Sequence, residues 1–247
     1  MSPEEKYQAL IAEAREYPQV EGVVLGGSRG KDATFLTEHS DYDVFVILSD
    51  ASDDAVRKHF ERYASPTFDV RVCSVSEFKD YAAWGTEYSW DRYNFAHNTP
   101  LIDKTGNIAP LVKDKGTLPE AVQKKFVTDA LDAYINSVYR SAKYWRDGKS
   151  FAALLDASES LPYLMDALYG LEGRVKPYNK YFEWELLNHP LACLPWRADE
   201  FMRDYTTILT TGDLVTQERI FTHVKRLFGE HGYAETIDAW KGKYFVG

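Results

Sequence analysis

Two aspartates spaced one residue apart, Asp41 and Asp43, begin an apolar run that continues to Leu48. This run predicts a β-strand, in which residues i and i+2 point to the same face. Neighbouring carboxylates repel each other unless a positive charge lies between them, and a divalent cation with oxygen ligands is a common solution. The spacing therefore indicates a metal site, against the alternative of two solvated aspartates at the start of a strand.

A glycine-rich turn, Gly26–Ser28, comes before the aspartates and directly follows a short apolar strand. Glycines let the backbone approach a ligand closely, and free amides together with a hydroxyl suit a phosphate. Arg29 and Lys31 add positive charge beside the turn. We expect Gly27, Ser28 and Arg29 to bind a nucleotide, against the alternative of an ordinary tight turn with solvated charges.

A third carboxylate, Asp69, lies in an alternating segment, Thr67–Cys73, that predicts another strand. Apolar residues occupy one face of this strand, and Asp69 and Arg71 occupy the other. If the two strands are neighbours in one sheet, Asp69 lies beside the pair Asp41 and Asp43. The alternative is a solvated aspartate on an edge strand.

Taken together, Leu25–Ser28, Asp41–Val44 and Asp69 resemble the nucleotidyltransferase superfamily that includes DNA polymerase β and the aminoglycoside nucleotidyltransferases. In that superfamily the Gly-Ser turn holds the triphosphate. Two carboxylates bind two metal ions, and the third helps to bind one ion and can activate the attacking hydroxyl. The resemblance implies that Asp41, Asp43 and Asp69 are catalytic and bind two Mg²⁺ ions. It also implies that ATP is the nucleotide donor.

The resemblance also implies in-line attack of an acceptor hydroxyl on the α-phosphate, with release of pyrophosphate. The layout matches the small, antibiotic-modifying members, so we expect AMP to pass to a small cationic acceptor such as an aminoglycoside, as in antibiotic resistance. One alternative is transfer of AMP to a protein partner, as in toxin and antitoxin pairs. Another is a non-catalytic nucleotide-binding protein, which the presence of all three carboxylates disfavours.

Composition narrows the partners. The 247 residues carry a net charge of −9, with a pI near 5.2. An acidic surface repels polyphosphate and attracts polycations, so we expect a small-molecule acceptor and no long nucleic acid. Two distant cysteines, an acidic N-terminus and the lack of any long apolar window predict a cytoplasmic protein with no membrane partner. Monomer and homodimer both remain open.

The periodicity changes along the chain. The first half alternates predicted helices and strands, whereas two long helices are predicted over 119–146 and 150–169, with more helices after them. A segment rich in Gly, Pro and Lys, 108–119, indicates the boundary. The predicted fold is an α+β nucleotidyltransferase domain with a mixed sheet and helices, 1–112, followed by an all-α helical-bundle domain, 113–247.

The helical half contains further candidates, because related small-molecule enzymes take acceptor contacts from such a domain. Glu159 is the preferred candidate for a general base or for a group that binds an acceptor amine, with Asp156 second. Lys176 or Lys180 could reach the triphosphate, and Tyr178 could stack on the base. The alternatives are solvated helix carboxylates and an ordinary surface loop.

Overall fold

The chain forms two compact units, which span residues 1–117 and 118–247. The computed structural model describes residues 2–31 and 35–243. The units divide inside the segment 108–119, and position 112 lies within a helix of the first unit. The assignment of separate roles to residues 1–112 and 113–247 stays a prediction.

The first unit contains a mixed four-stranded sheet, which confirms the α+β prediction. The strands are β1 (Val20–Leu25), β2 (Tyr42–Leu48), β3 (Phe68–Ser74) and β4 (Ile102–Asp103). Their order is β3-β2-β1-β4; β2 and β3 are parallel, and β1 is antiparallel to both β2 and β4. The helices are α1 (Pro3–Glu16), α2 (Asp54–Glu61), α3 (Val75–Asp80) and α4 (Ile108–Lys115), with a 3₁₀ segment at Ser89–Phe95.

Both faces of the central strand β2 are covered. Val44 and Val46 pack with Leu10 of α1 and Phe60 of α2. The opposite face is covered by α3, the 3₁₀ segment and α4. Its buried cluster includes Val24, Phe45, Ile47, Phe78, Phe95 and Ile108. Because side chains alternate along a strand, every odd-numbered position of β2 faces this second cluster.

The segment 108–119 differs from the expected linker. Its first eight residues form α4, which buries Ile108 and Val112 in the second cluster. Pro110 is tolerated there because the first turn of a helix has no intrahelical partner for its amide. Glycine and proline content therefore hid an apolar pair at i and i+4, which is the spacing of a helix face.

The described part of the second unit contains helices and no strands, as the sequence predicts. The helices are α5 (Glu120–Arg146), α6 (Ser150–Leu171), α7 (Phe182–Asn188), α8 (Ala198–Thr211), α9 (Leu214–Glu230) and α10 (Ala234–Asp238), with a 3₁₀ turn at Asn179–Tyr181. The long helices α5 and α6 supply much of its core, including Leu131, Ile135, Leu164 and Leu168. Over the described residues, no helix combines the length and the apolarity needed to cross a membrane.

Candidate functional site

The Gly-Ser turn and the aspartates meet at one edge of the sheet. Since β1 is antiparallel to β2, and β2 is parallel to β3, the end of β1 lies beside the starts of the other two strands. The amide of Gly26 donates to the carbonyl of Asp43 over 2.7 Å, which extends the β1–β2 ladder into the turn. Asp43 and Asp69 are register partners on adjacent strands. Adjacent strands lie about 4.8 Å apart, so these two residues are close neighbours.

The three aspartates share a face. Tyr42 and Val44 point into the cluster under α1 and α2, so Asp41 and Asp43 alternate to the opposite face, as does Asp69 on β3. Asp41 and Asp69 are exposed, and Asp43 is half-buried. The structure thus places Asp43 and Asp69 side by side on the predicted face, with Asp41 directly before β2.

Gly27 couples the turn directly to Asp43. It has a φ of +58°, and a Cβ added there would lie 1.8 Å from Oδ2 of Asp43. A residue with a side chain would be strained by the backbone conformation and would also displace the carboxylate. Ser28, half-buried, belongs to the same turn, which closes when the amide of Gly30 donates to the carbonyl of Gly26 over 2.8 Å. The turn is therefore built around the position of one carboxylate.

Arg29 anchors the backbone of the aspartate segment. Its Nε donates to the carbonyl of Asp41 and its Nη2 to the carbonyl of Ser40, both over 3.1 Å. The guanidinium also stacks on the Tyr42 ring, 3.9 Å from the centroid, and that ring belongs to the cluster on the opposite face from the aspartates. These contacts fix the backbone directly before β2 begins at Tyr42. A direct contact of Arg29 with a nucleotide stays a prediction.

The ammonium group of Lys31 donates hydrogen bonds to backbone carbonyls. Its ammonium donates to Tyr93 over 2.8 Å and to Asn94 over 3.3 Å, and it also reaches the carbonyl of Ala96. These carbonyls lie at the C-terminal end of the 3₁₀ segment, where a cation is favourable. Sequence reasoning missed this role because the contact joins residues more than 60 positions apart.

The aspartates fit a magnesium ion by donor chemistry and by register. Carboxylate oxygens are the ligands that Mg²⁺ prefers. The carboxylates of Asp41 and Asp69 accept no hydrogen bond from any residue in the described ranges. Over the same ranges no three acidic, His or Cys side chains converge closely enough to hold an ion. A magnesium site at this edge therefore stays a prediction.

The carboxylates of the helical unit are already paired. Arg140 of α5 donates from Nε to Oδ1 of Asp156 over 3.1 Å and from Nη2 to Oε2 of Glu159 over 2.9 Å. Asp156 is only 5 % exposed, whereas the Glu159 side chain is 50 % exposed. Asp156 is therefore a buried partner of Arg140. Glu159 stands at the solvent side of the same ion pair.

Some side chains of the basic and aromatic loop after α6 already contact other residues of the helical unit. Lys176 pairs with Oδ2 of Asp166 over 2.9 Å, and burial raises the pKa of Asp166 while Lys176 opposes that shift. Tyr178 is half-buried, with its ring 6.3 Å from that of Tyr181. Lys180 is exposed, with its ammonium 5.4 Å from the Tyr181 ring. Lys176 would have to exchange Asp166 for a phosphate, so Lys180 is the more accessible of the two lysines.

Comparison with known proteins finds only distant structural likeness. No family model matches the chain, and no curated protein matches it. A crystal structure of a nucleotidyltransferase-like protein from Exiguobacterium sibiricum aligns over 93 % of this chain and 78 % of its own, with 14 % identity and a TM-score of 0.44. A candidate nucleotidyltransferase from Sulfolobus solfataricus aligns over 30 % of this chain and 68 % of its own, with 19 % identity and a TM-score of 0.24. At this distance any inference about activity rests on the residues of the sheet edge.

Proposed function

We propose that the chain is a Mg²⁺-dependent nucleotidyltransferase that moves AMP from ATP to a hydroxyl of a small acceptor and releases pyrophosphate. The observation that carries the proposal is the contact between Gly27 and Asp43. A turn suited to phosphate lies directly beside a carboxylate suited to metal, because a Cβ added at Gly27 would lie 1.8 Å from Oδ2 of Asp43. Phosphoryl transfer needs both groups side by side, because the metal ions bridge protein carboxylates and phosphate oxygens.

Each residue at the edge has a stated role. Asp41 and Asp43 would hold the metal ions and Asp69 would complete one site. The two Mg²⁺ ions would supply neutralisation of the charge on the phosphates. Ser28 and the amides around Gly27 would bind the triphosphate. Asp69 would also accept the proton of an attacking hydroxyl, as the resemblance to the nucleotidyltransferase superfamily implies.

The acceptor is proposed to be small and cationic, such as an aminoglycoside, and the net charge of −9 supports a cationic acceptor. The protein would then act in the cytoplasm and confer antibiotic resistance. Glu159 would then bind an acceptor amine in exchange for Arg140, or act as the base. Lys176, Tyr178 and Lys180 remain proposed nucleotide contacts. If Glu159 is the base, Glu159→Gln lowers kcat at unchanged ATP affinity; if kcat is unchanged, Glu159 is a bystander.

Transfer of AMP to a protein is the second candidate. It is favoured by exposed apolar side chains on α6, where Phe151 and Leu155 are 74 % and 55 % exposed and lie one helical turn apart. Such a pair suits a macromolecular contact more than a sugar or an amine.

The deciding experiment measures pyrophosphate release from each of the four nucleoside triphosphates with Mg²⁺, with and without a panel of aminoglycosides and lincosamides. Asp41→Asn tests the site, and Asp54→Asn, an exposed residue of α2, is the matched control. Acceptor-dependent release that only Asp41→Asn abolishes supports the first candidate. Label from α-³²P-ATP on a protein band supports the second. ATP binding that is unchanged by EDTA, with no release, contradicts both.

A further inference from the structure

The proposed nucleotide site needs a positively charged side chain on the face of the sheet that carries the aspartates. The cations near the Gly-Ser turn, Arg29 and Lys31, make other contacts. Three carboxylates and a triphosphate carry more negative charge than two divalent cations neutralise. Arg29 stacks on Tyr42 at the opposite face, and Lys31 is held by three carbonyls. A phosphate site that rests on these two side chains would have to break those contacts first.

Arg71 lies on the required face. It is two residues after Asp69 on β3, so both side chains point the same way. Its register partner on β2 is Phe45, just as Asp43 is the partner of Asp69. Arg71 is exposed, and its guanidinium lies 4.4 Å from the ring centroid of Tyr81 and 5.5 Å from that of Tyr88.

Aromatic rings hold this guanidinium in place. The Tyr81 hydroxyl donates to Oδ2 of the buried Asp91 over 2.6 Å, which fixes the ring, and the Tyr88 ring lies 5.4 Å from that of Tyr81. A guanidinium over aromatic rings keeps its charge and directs its N–H groups outward from its rim. Arg71 is therefore pre-organised, which lowers the entropy cost of binding a ligand.

The Arg71 guanidinium has no hydrogen-bond acceptor among the residues that the structure describes. In residues 2–31 and 35–243, no hydrogen bond and no ion pair involves its guanidinium, although Asp69 is its neighbour on the same face. Among the same residues Asp69 accepts no hydrogen bond either, and Arg71 remains able to bind an anion. A planar fork of donors matches two oxygens of a phosphate.

We propose that Arg71 is a nucleotide phosphate ligand, and that Arg71, Tyr81 and Tyr88 form a subsite for the phosphoanhydride part of ATP and for released pyrophosphate. This inference rests on the proposed nucleotidyl transfer. Arg71 supplies positive charge that Arg29 and Lys31 use elsewhere. The rings of Tyr81 and Tyr88 set the direction of the donors.

The test is calorimetric binding of pyrophosphate, ATP and AMP, each with Mg²⁺, to the full chain and to Arg71→Met. Loss of a bidentate, charge-assisted contact should weaken pyrophosphate and ATP by about 10- to 100-fold, and AMP by less than about 3-fold. Arg71→Lys keeps the charge without the fork and should lie between the two. Equal unfolding temperatures of the three proteins would show that the fold is kept.

Arg62→Met is the matched control, because Arg62 is an exposed cation of the same unit that pairs with Glu13. If Arg62→Met weakens pyrophosphate as much as Arg71→Met does, only long-range charge is involved and the proposal fails. It also fails if Arg71→Met binds pyrophosphate within about 2-fold of the unaltered chain, or if the unaltered chain binds none. Loss of pyrophosphate binding with intact ATP affinity would assign the subsite to an anionic acceptor and overturn the nucleotide assignment.

The outcome is separable from that of the proposed function. A chain that binds pyrophosphate through Arg71 but transfers no nucleotide to any acceptor would keep this subsite and contradict the transferase. A chain that transfers nucleotide at the same rate and ATP affinity after Arg71→Met would keep the transferase and remove this subsite.

Discussion

The sheet edge and the α5–α6 pair both bring carboxylates together, but they treat the charge differently. Asp41 lies directly before β2 and Asp43 lies on it, and the exposed carboxylates of Asp41 and Asp69 accept no hydrogen bond from the described residues. Asp156 and Glu159 lie three residues apart on a helix, and Arg140 bridges both. Asp41 and Asp69 can therefore bind a cation without first giving up a partner among the described residues, whereas Asp156 and Glu159 already share Arg140.

This difference shows how a ligand site can be distinguished from a structural ion pair. A carboxylate that is already paired with an arginine must exchange that partner before it can bind a metal, whereas an exposed carboxylate such as that of Asp41 or Asp69 need not. Carboxylates that share an arginine need no further explanation. On this criterion the sheet edge, and not the helical unit, is where chemistry is expected, and Glu159 is the weaker of the proposed catalytic groups.

The strongest test of the comparison is Asp43→Asn. If Asp43 holds metal, transfer should fall by about 10³-fold, because several kcal/mol of transition-state stabilisation are lost. The unfolding temperature should change little, since the Asn side chain has nearly the same size and shape as that of Asp. Pyrophosphate release and calorimetric unfolding measure the two effects. A parallel fall in stability and activity would instead mark Asp43 as structural.

Gly27→Ala tests the coupling between turn and carboxylate. The added Cβ would lie 1.8 Å from Oδ2 of Asp43, so that side chain must rotate and activity should fall by about 10²-fold. Gly106→Ala is the control, because Gly106 also has a positive φ, +76°, but has no atom within 4 Å of the added Cβ. Both variants should lose about 1 kcal/mol of stability from backbone strain. Equal activity in the two variants would contradict the coupling.

The reverse experiment removes the cation of the helical unit. Arg140→Met leaves Asp156 buried without its partner, so the free energy of unfolding should fall by about 2 kcal/mol, discounted because Arg140 is 40 % exposed. Arg146→Met, which loses only a surface pair with Asp147, should cost less than about 0.5 kcal/mol. Denaturant titration of both variants gives the difference. Equal stability would show that Arg140 is not needed to neutralise Asp156.

Local patterns predicted the parts of the site that depend on neighbours in sequence. The alternation of Phe68, Val70 and Val72 predicts the face on which Asp69 lies. The glycines of the turn Gly26–Ser28 predict that the backbone can approach a ligand closely. These features depend on a period of two residues and on one tight turn, both of which a sequence displays. The position of the three carboxylates on one face follows from them.

Contacts between distant residues were out of reach. Arg29 needs the β1–β2 register to meet Ser40 and Asp41, and Lys31 needs the 3₁₀ segment more than 60 residues later. The partner of Glu159 depends on how α5 packs on α6, so Arg140 could not be inferred from its position. Arg29 and Lys31 therefore make contacts within the fold that their place beside the motif does not indicate, and a nucleotide contact of Arg29 stays a prediction.

The last prediction concerns a buried cation that donates hydrogen bonds to backbone carbonyls. Lys115 of α4 is buried, and its ammonium donates to the carbonyls of Lys79 and Tyr81. Burial, the largest cause, lowers the pKa of Lys115 from 10.5 to about 8. The unfolded chain therefore binds more protons than the folded chain between these values.

Stability must consequently rise with pH across this window, because the unfolded state gives up its proton there while the folded state has already done so. We expect unfolding of the unaltered chain to become harder by on the order of 1–3 kcal/mol between about pH 8 and 10.5, relative to Lys115→Met. Lys113→Met, an exposed residue of the same helix, should keep the full slope. A pH profile of Lys115→Met parallel to that of the unaltered chain would mean that the carbonyls of Lys79 and Tyr81 hold the ammonium as well as water does. Carbonyls alone could then neutralise a buried charge, and the criterion that separates the sheet edge from the Arg140 pair would lose its force.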